Sequence, residues 1–126
     1  MQQGNLETVR AIYDAWREGT SARAFIDPDV EYVNPPDAVE PGTRRGYAAF
    51  GAIRDAYDDV RIEPREFIEA GSDVVVIATV HATGRGSGVP IEWQHGYIWT
   101  IEAGRAVRFR WFNDPGEALA AAGVER

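Results

Sequence analysis

The stretch DVVVIATVHATGRGSGVPIEWQHGYIWTIEAG, residues 73–104, decides how this chain folds. Two runs rich in valine, isoleucine and aromatic residues flank GRGSG (84–88), and the second run stops at EAG (102–104). Short glycine-containing breaks between β-rich runs join antiparallel neighbours. Working outward in both directions predicts four consecutive strands at 60–69, 73–83, 89–101 and 105–113, with AGSD (70–73) as the first break. GRGSG joins two strands and opens no helix, so it lacks the free N–H groups of a phosphate loop and reads as a hairpin.

The first half reads differently. Asn5 is expected to cap a helix with Glu7 in its first turn, and Leu6, Val9, Tyr13 and Trp16 recur at helical spacing up to Gly19. Residues 21–25 add a short turn, DPD (27–29) reads as a loop, and 30–34 as a strand stopped by Pro35-Pro36. DAVEPGTRRG (37–46) reads as a loop, followed by a second helix over about 47–57 with Phe50, Ile53 and Tyr57 on its apolar face. At the far end Asp114 caps a last helix, with Pro115 in its first position, Glu117 completing a capping box and Gly123 closing it. Helix, strand, helix, four strands, helix is an α+β order, expected to form one domain over 1–126.

Composition narrows the chemistry. The 126 residues carry a net charge of −7, which argues against nucleic acid or an anionic membrane as partner. Without cysteine there is no disulfide or thiolate chemistry, and without lysine no Schiff base; all thirteen basic residues are arginine. No apolar run approaches the roughly 18–20 residues of a membrane span, and the start does not read as a secretory signal, so a cytoplasmic location is expected.

Alternation assigns faces to the strands. In EWQHGYIWT (92–100) one face carries Trp93, His95, Tyr97 and Trp99; in VRFRWFND (107–114) one carries Val107, Phe109, Trp111 and Asn113. Strand 73–83 divides into Val75, Ile77, Thr79 and His81 against Val74, Val76, Ala78 and Val80. Aromatic faces interrupted by histidine, tyrosine, threonine and asparagine suit a ligand cavity, since a pure core has no use for the polar members. His95 and His81 are the candidate bases. They lie on different strands, and no carboxylate is expected on their faces, so no metal or other cofactor is expected.

NLETVRAIYDAWREG, DPDVEYVNPP, AYDDVRIEPREFIEAGSDVVVIATVHATG and HGYIWTIEAGRAVRFRWFNDPGEAL together resemble the SnoaL-like polyketide cyclase family, within the nuclear transport factor two-like superfamily. The resemblance spans nearly the whole chain. It implies a cone-shaped, curved antiparallel or mixed sheet with N-terminal helices on its concave face, a cystatin-like half-barrel. In ketosteroid isomerases of this superfamily an aspartate base precedes a proline at the end of the first strand. Asn34 stands at that position and cannot take a proton. Tyr97 falls near the isomerases' oxyanion-hole acid, and Tyr13 near their helix tyrosine. Limonene-epoxide-hydrolase-like enzymes hold a water with a Tyr-x-Asn pair, matched by Tyr32 and Asn34. Their Asp-Arg-Asp set aligns here with Thr79, His81 and Trp111.

Three readings follow. The first is a cofactor-independent isomerase, cyclase or epoxide-hydrolase-like enzyme acting on an apolar molecule, with His95 or His81 as base. The second is a non-catalytic binder of a hydrophobic small molecule, forming a homodimer through the outer sheet face. The third is an interaction module. Tyr13, Trp16, Tyr32, Asn34, Thr79, Trp93, Tyr97, Phe109, Trp111 and Asn113 are the expected ligand-binding residues.

Overall fold

Strand β1 (Ile26–Asn34) begins the sheet, followed by β2 (Gly42–Arg45), β3 (Asp58–Ala70), β4 (Asp73–Thr83), β5 (Pro90–Glu102) and β6 (Arg105–Phe112). These come from a computed structural model that describes residues 4–51 and 55–125. The six strands form one open, curved sheet in the order β2-β1-β6-β5-β4-β3. Strand β1 runs parallel to β6 and all other neighbours are antiparallel, so the sheet is mixed. Helix α1 (Asn5–Arg17) packs on one face and helix α2 (Pro115–Ala121) on the other.

The meander forms where the loops require it. Ala70 pairs with Asp73 and Glu102 with Arg105, so each hairpin turns on two residues. In the β5–β6 turn both Ala103 and Gly104 are left-handed, at φ 51° and 77°. That twist matches antiparallel strands, although alanine there costs about 1–2 kcal/mol.

The first half departs from expectation in four places. Strand β1 starts at Ile26, not at residue 30, because DPD is taken up in an irregular stretch between Ile26 and Glu31. There Asp27 Oδ1 accepts the Asp29 N–H (2.8 Å), a local turn inside a strand, which is why the sequence resembles a loop. Strand β2 arises within what reads as loop; it is exposed, short and arginine-rich, with no apolar alternation to announce it. Helix α1 is capped by Gly4, so Asn5 is its first residue and not the cap. Of the expected second helix, Tyr47–Gly51 form a 3-10 turn and residues 55–56 are helical; positions 52–54, Ile53 among them, lie outside the described residues. Gly19, left-handed at φ 76°, does follow the end of α1. Asp114 Oδ1 accepts the Gly116 N–H (2.9 Å) with Pro115 opening α2.

Two apolar clusters result. The inner one packs Val9, Ile12 and Tyr13 of α1 on Val74, Val76, Ala78, Tyr97, Trp99 and Phe109 of the sheet. The outer one seats Ala118 of α2 on Val75 and Ile98, with Ile77 and Phe112 at its margin. Gly96 lets that helix approach. A Cβ built on it would stand 2.5 Å from Ala118 Cβ and 3.0 Å from Pro115 Cα.

Gly96→Ala is therefore expected to lower stability by about 1–3 kcal/mol, as overpacking of a fitted contact does. Ala118→Gly in the same chain should restore part of the loss in denaturant unfolding. A Gly96→Ala protein as stable as the parent would show that α2 does not dock tightly here.

Candidate functional site

Along β5 the inward side chains are Trp93, His95, Tyr97 and Trp99. Trp99 is fully buried, Tyr97 is 4% exposed, His95 8%, and Trp93 is only half-buried, so the interior opens toward the Trp93 end. Across the sheet the same face continues directly. Tyr97 pairs with Trp111 and Trp99 with Phe109 on β6, and Phe109 pairs with Tyr32 on β1. Ring centroids 4.6–5.9 Å apart link Trp99, Phe109, Phe50, Trp16, Tyr13 and Tyr32 into one aromatic interior, with Phe50 stacked on Trp99.

The polar members of this face have partners. Three indole N–H groups point into it, and each finds an acceptor. Trp99 Nε1 donates to the Tyr13 hydroxyl (3.0 Å), Trp111 Nε1 to Asn34 Oδ1 (2.6 Å) and Trp93 Nε1 to His95 Nε2 (2.8 Å). Asn34 Nδ2 in turn donates to the Gly42 carbonyl on β2 (3.4 Å). His95 Nδ1 lies 3.0 Å from the Tyr97 hydroxyl, and the His95 ring also packs beside Trp111, centroids 5.3 Å apart.

Burial sets the protonation states. It lowers the His95 pKa from 6.5 to about 4, so the ring is neutral at pH 7. It pushes the Tyr32 phenol up to about 12 and raises Tyr97 as well. Tyr13 is raised first by burial and then by the nearby Tyr97 and Tyr32, while the bond from Trp99 acts the other way. Three phenols that influence one another's ionisation are thus gathered inside the aromatic walls, all neutral. Tyr13 has accepted a bond and keeps a proton of its own to donate.

The structure brings together Tyr13, Trp16, Tyr32, Asn34, Trp93, His95, Tyr97, Phe109 and Trp111. It does not bring His81 or Thr79 to them. Residues Thr79 and His81 pair with Gln94 and Glu92, on the outer face of the sheet, while Ala78 and Val80 stand opposite His95 and Trp93 on the inner one. A strand assigned one residue out of register presents its other face. The inner set of β4 is the wholly apolar one, Val74, Val76, Ala78 and Val80, and the polar members that suit a ligand cavity stand on the outer face instead. On the outer face His81 does have a carboxylate beside it: Glu63 Oε1 is 3.2 Å from His81 Nε2. That bond and the adjacent Arg65 lower the Glu63 pKa. Thr79 accepts from Arg65 Nε (3.1 Å). Asn113 is exposed beyond the end of β6, where Nδ2 donates to Asp37 Oδ2 (3.1 Å). A bulge between Thr100 and Ile101 turns Ala106, rather than Val107, into the inner cluster. Two residues absent from the expected set belong with the site. Phe50 is stacked on Trp99, and Tyr57 packs on Trp93 at 5.3 Å; both lie on the apolar face expected of the second helix.

Two concavities are formed by described residues. One of about 370 Å³ lies at the outer edge among Asp59, Arg61, His81 and Glu92. Another of about 180 Å³ lies between α1, β1 and the 3-10 turn, lined by Trp16, Ser21, Arg23, Ile26, Tyr47 and Phe50. Neither is lined by His95, Tyr97 or Trp111. No helix among the described residues is long and apolar enough to cross a membrane.

The fold has counterparts among solved structures. An NTF2-like protein of unknown function from Burkholderia pseudomallei superposes with a TM-score of 0.74 at 29% identity, over 94% of this chain and 97% of that one. TerC, co-crystallised with polyporic acid, matches at 27% identity and a TM-score of 0.72, over 94% and 98%. IdmH of Streptomyces antibioticus, a candidate polyketide cyclase, shares the fold at 21% identity and a TM-score of 0.73, over 97% and 100%. No functionally curated protein matches the chain. The SnoaL-like domain profile matches residues 9–109, and the chain belongs to that family.

Proposed function

We propose that the inner face of the sheet receives a planar apolar molecule bearing a carbonyl or enol oxygen, held by the aromatic walls and by the phenol donors. The observation that carries this reading is the grouping of three tyrosines in one aromatic interior: Tyr32 and Tyr97 pack on Phe109, at 5.0 and 5.2 Å, and Tyr13 on Trp99 at 5.9 Å. Neutral donors set among apolar walls suit an oxygen that gains negative charge. The similarity to TerC, co-crystallised with polyporic acid, supports a small-molecule ligand of this kind.

A histidine base fits less well. Nε2 of His95 is taken by the Trp93 indole and Nδ1 by Tyr97, and a ring with a pKa near 4 is a weak base. His81, on the outer face, cannot reach the same ligand. The chemistry open to the site is then electrophilic. For a substrate that is already enolised, its own carbon adds to a second carbonyl, and the C–C bond forms as the C=O π bond opens. Tyr97 hydrogen-bonds the oxygen on which charge develops, and the enol's hydroxyl proton passes to that oxygen, leaving a ketone and an alcohol. That describes a cyclase; with a substrate that does not enolise, the same geometry makes a binder.

9-Fluorenone and fluorene test this, since they share an outline and differ in one carbonyl. The ketone is expected to bind more tightly by calorimetry, and Tyr97→Phe to remove about 1 kcal/mol, some fivefold, from the ketone alone. Equal loss for both compounds, or none, would refute the phenol's role.

The neutral state of His95 has its own signature. Its folded pKa lies below the unfolded value, so the unfolded chain takes up the proton first, between about pH 6.5 and 4. Stability contributed in this way is complete above pH 6.5 and falls as pH drops toward 4. His95→Gln should flatten that limb of a plot of thermal midpoint against pH; an unchanged slope would place the titration elsewhere.

A further inference from the structure

Trp93, His95 and Tyr97 stand at every second position of β5, one behind another on one face from the open end inward. Their hydrogen bonds have one possible direction. An indole N–H only donates, so His95 Nε2, 2.8 Å from it, must carry a lone pair. A neutral imidazole has one protonated nitrogen, so Nδ1 carries the proton. The Tyr97 oxygen, 3.0 Å away, must then be the acceptor. The reverse assignment, with the phenol donating to Nδ1, leaves both ring nitrogens unprotonated, an imidazolate that a water-exposed protein does not hold. The Tyr97 proton is therefore left without a partner on its own strand.

We propose that Trp93 and His95 are positioning residues forming a one-way relay that turns the Tyr97 hydroxyl proton off the strand and toward the ligand oxygen. This rests on the reading of Tyr97 as a ligand donor. Each bond in such a chain polarises the next, so a phenol that has accepted from His95 donates more strongly. The half-buried indole at the open end thus sets the hydrogen-bonding character of a phenol two side chains deeper. Histidine here supplies a lone pair on one edge and a proton on the other. Glutamine offers the same pair, a carbonyl for Trp93 and an amide N–H for Tyr97, while leucine offers neither.

The relay makes a claim that needs no ligand and no variant. Long-range proton–nitrogen NMR of the unmodified protein at pH 7 is expected to show His95 protonated at Nδ1 and pyridine-like at Nε2; an Nε2-protonated ring overturns the proposal. The second measurement is the ratio of fluorenone to fluorene affinity, which cancels changes in apolar packing. His95→Gln should keep the parent ratio, whereas His95→Leu and Trp93→Phe should lower it three- to fivefold. If His95→Gln falls as far as His95→Leu, histidine acts by titration and the relay is wrong. If Tyr97→Phe lowers the ratio but His95→Leu and Trp93→Phe do not, Tyr97 binds the ligand unaided and the relay alone fails. If Tyr97→Phe leaves the ratio unchanged, the functional reading itself fails.

Discussion

A buried indole must give its N–H to something, and this interior contains three that do. Leaving such a donor unpaired costs about 1–3 kcal/mol, a large share of the stability of a domain this size. The fold gives each of these three one acceptor: a helix tyrosine for Trp99, a strand-end asparagine for Trp111, a histidine for Trp93. Two of the acceptors join separate elements. Tyr13 ties α1 to the sheet, and Asn34 ties β1 to β6 and, through Gly42, to β2.

This requirement changes the meaning of the polar residues among the aromatics. Asn34 has both ends of its amide engaged in the sheet. The titrating group closest to the site is held neutral. What remains on this face is a set of neutral phenols. One fold accommodates different chemistries through the residues placed at a few positions.

The sequence discloses the sheet more readily than the site. Strands β3 to β6 are visible to within two or three residues because their glycine turns punctuate long β-rich runs. The helices at both ends are visible through spacing and capping. Strand β2 has no apolar pattern, and the start of β1 is disguised by an aspartate turn, so neither can be read. On β5 the inward face is legible because its two sets differ sharply: aromatics on one side, glutamine, glycine and threonine on the other. On β4 the inward set is the wholly apolar one, and the expectation that polar members line a cavity draws Thr79 and His81 to the wrong side. The pairing of each indole with its acceptor depends on register and on where α1 lands, which no local pattern contains.

Gly96 lies between His95 and Tyr97 in the chain, facing the opposite way, with α2 resting on it. The two side chains meet only because the strand between them keeps its pleat. By pressing on the far side of that one residue, the final helix works as a splint, holding the strand straight where two aromatic rings must touch edge to oxygen. A segment that shares no surface with the candidate ligand face therefore shapes it, through the thickness of a single peptide layer.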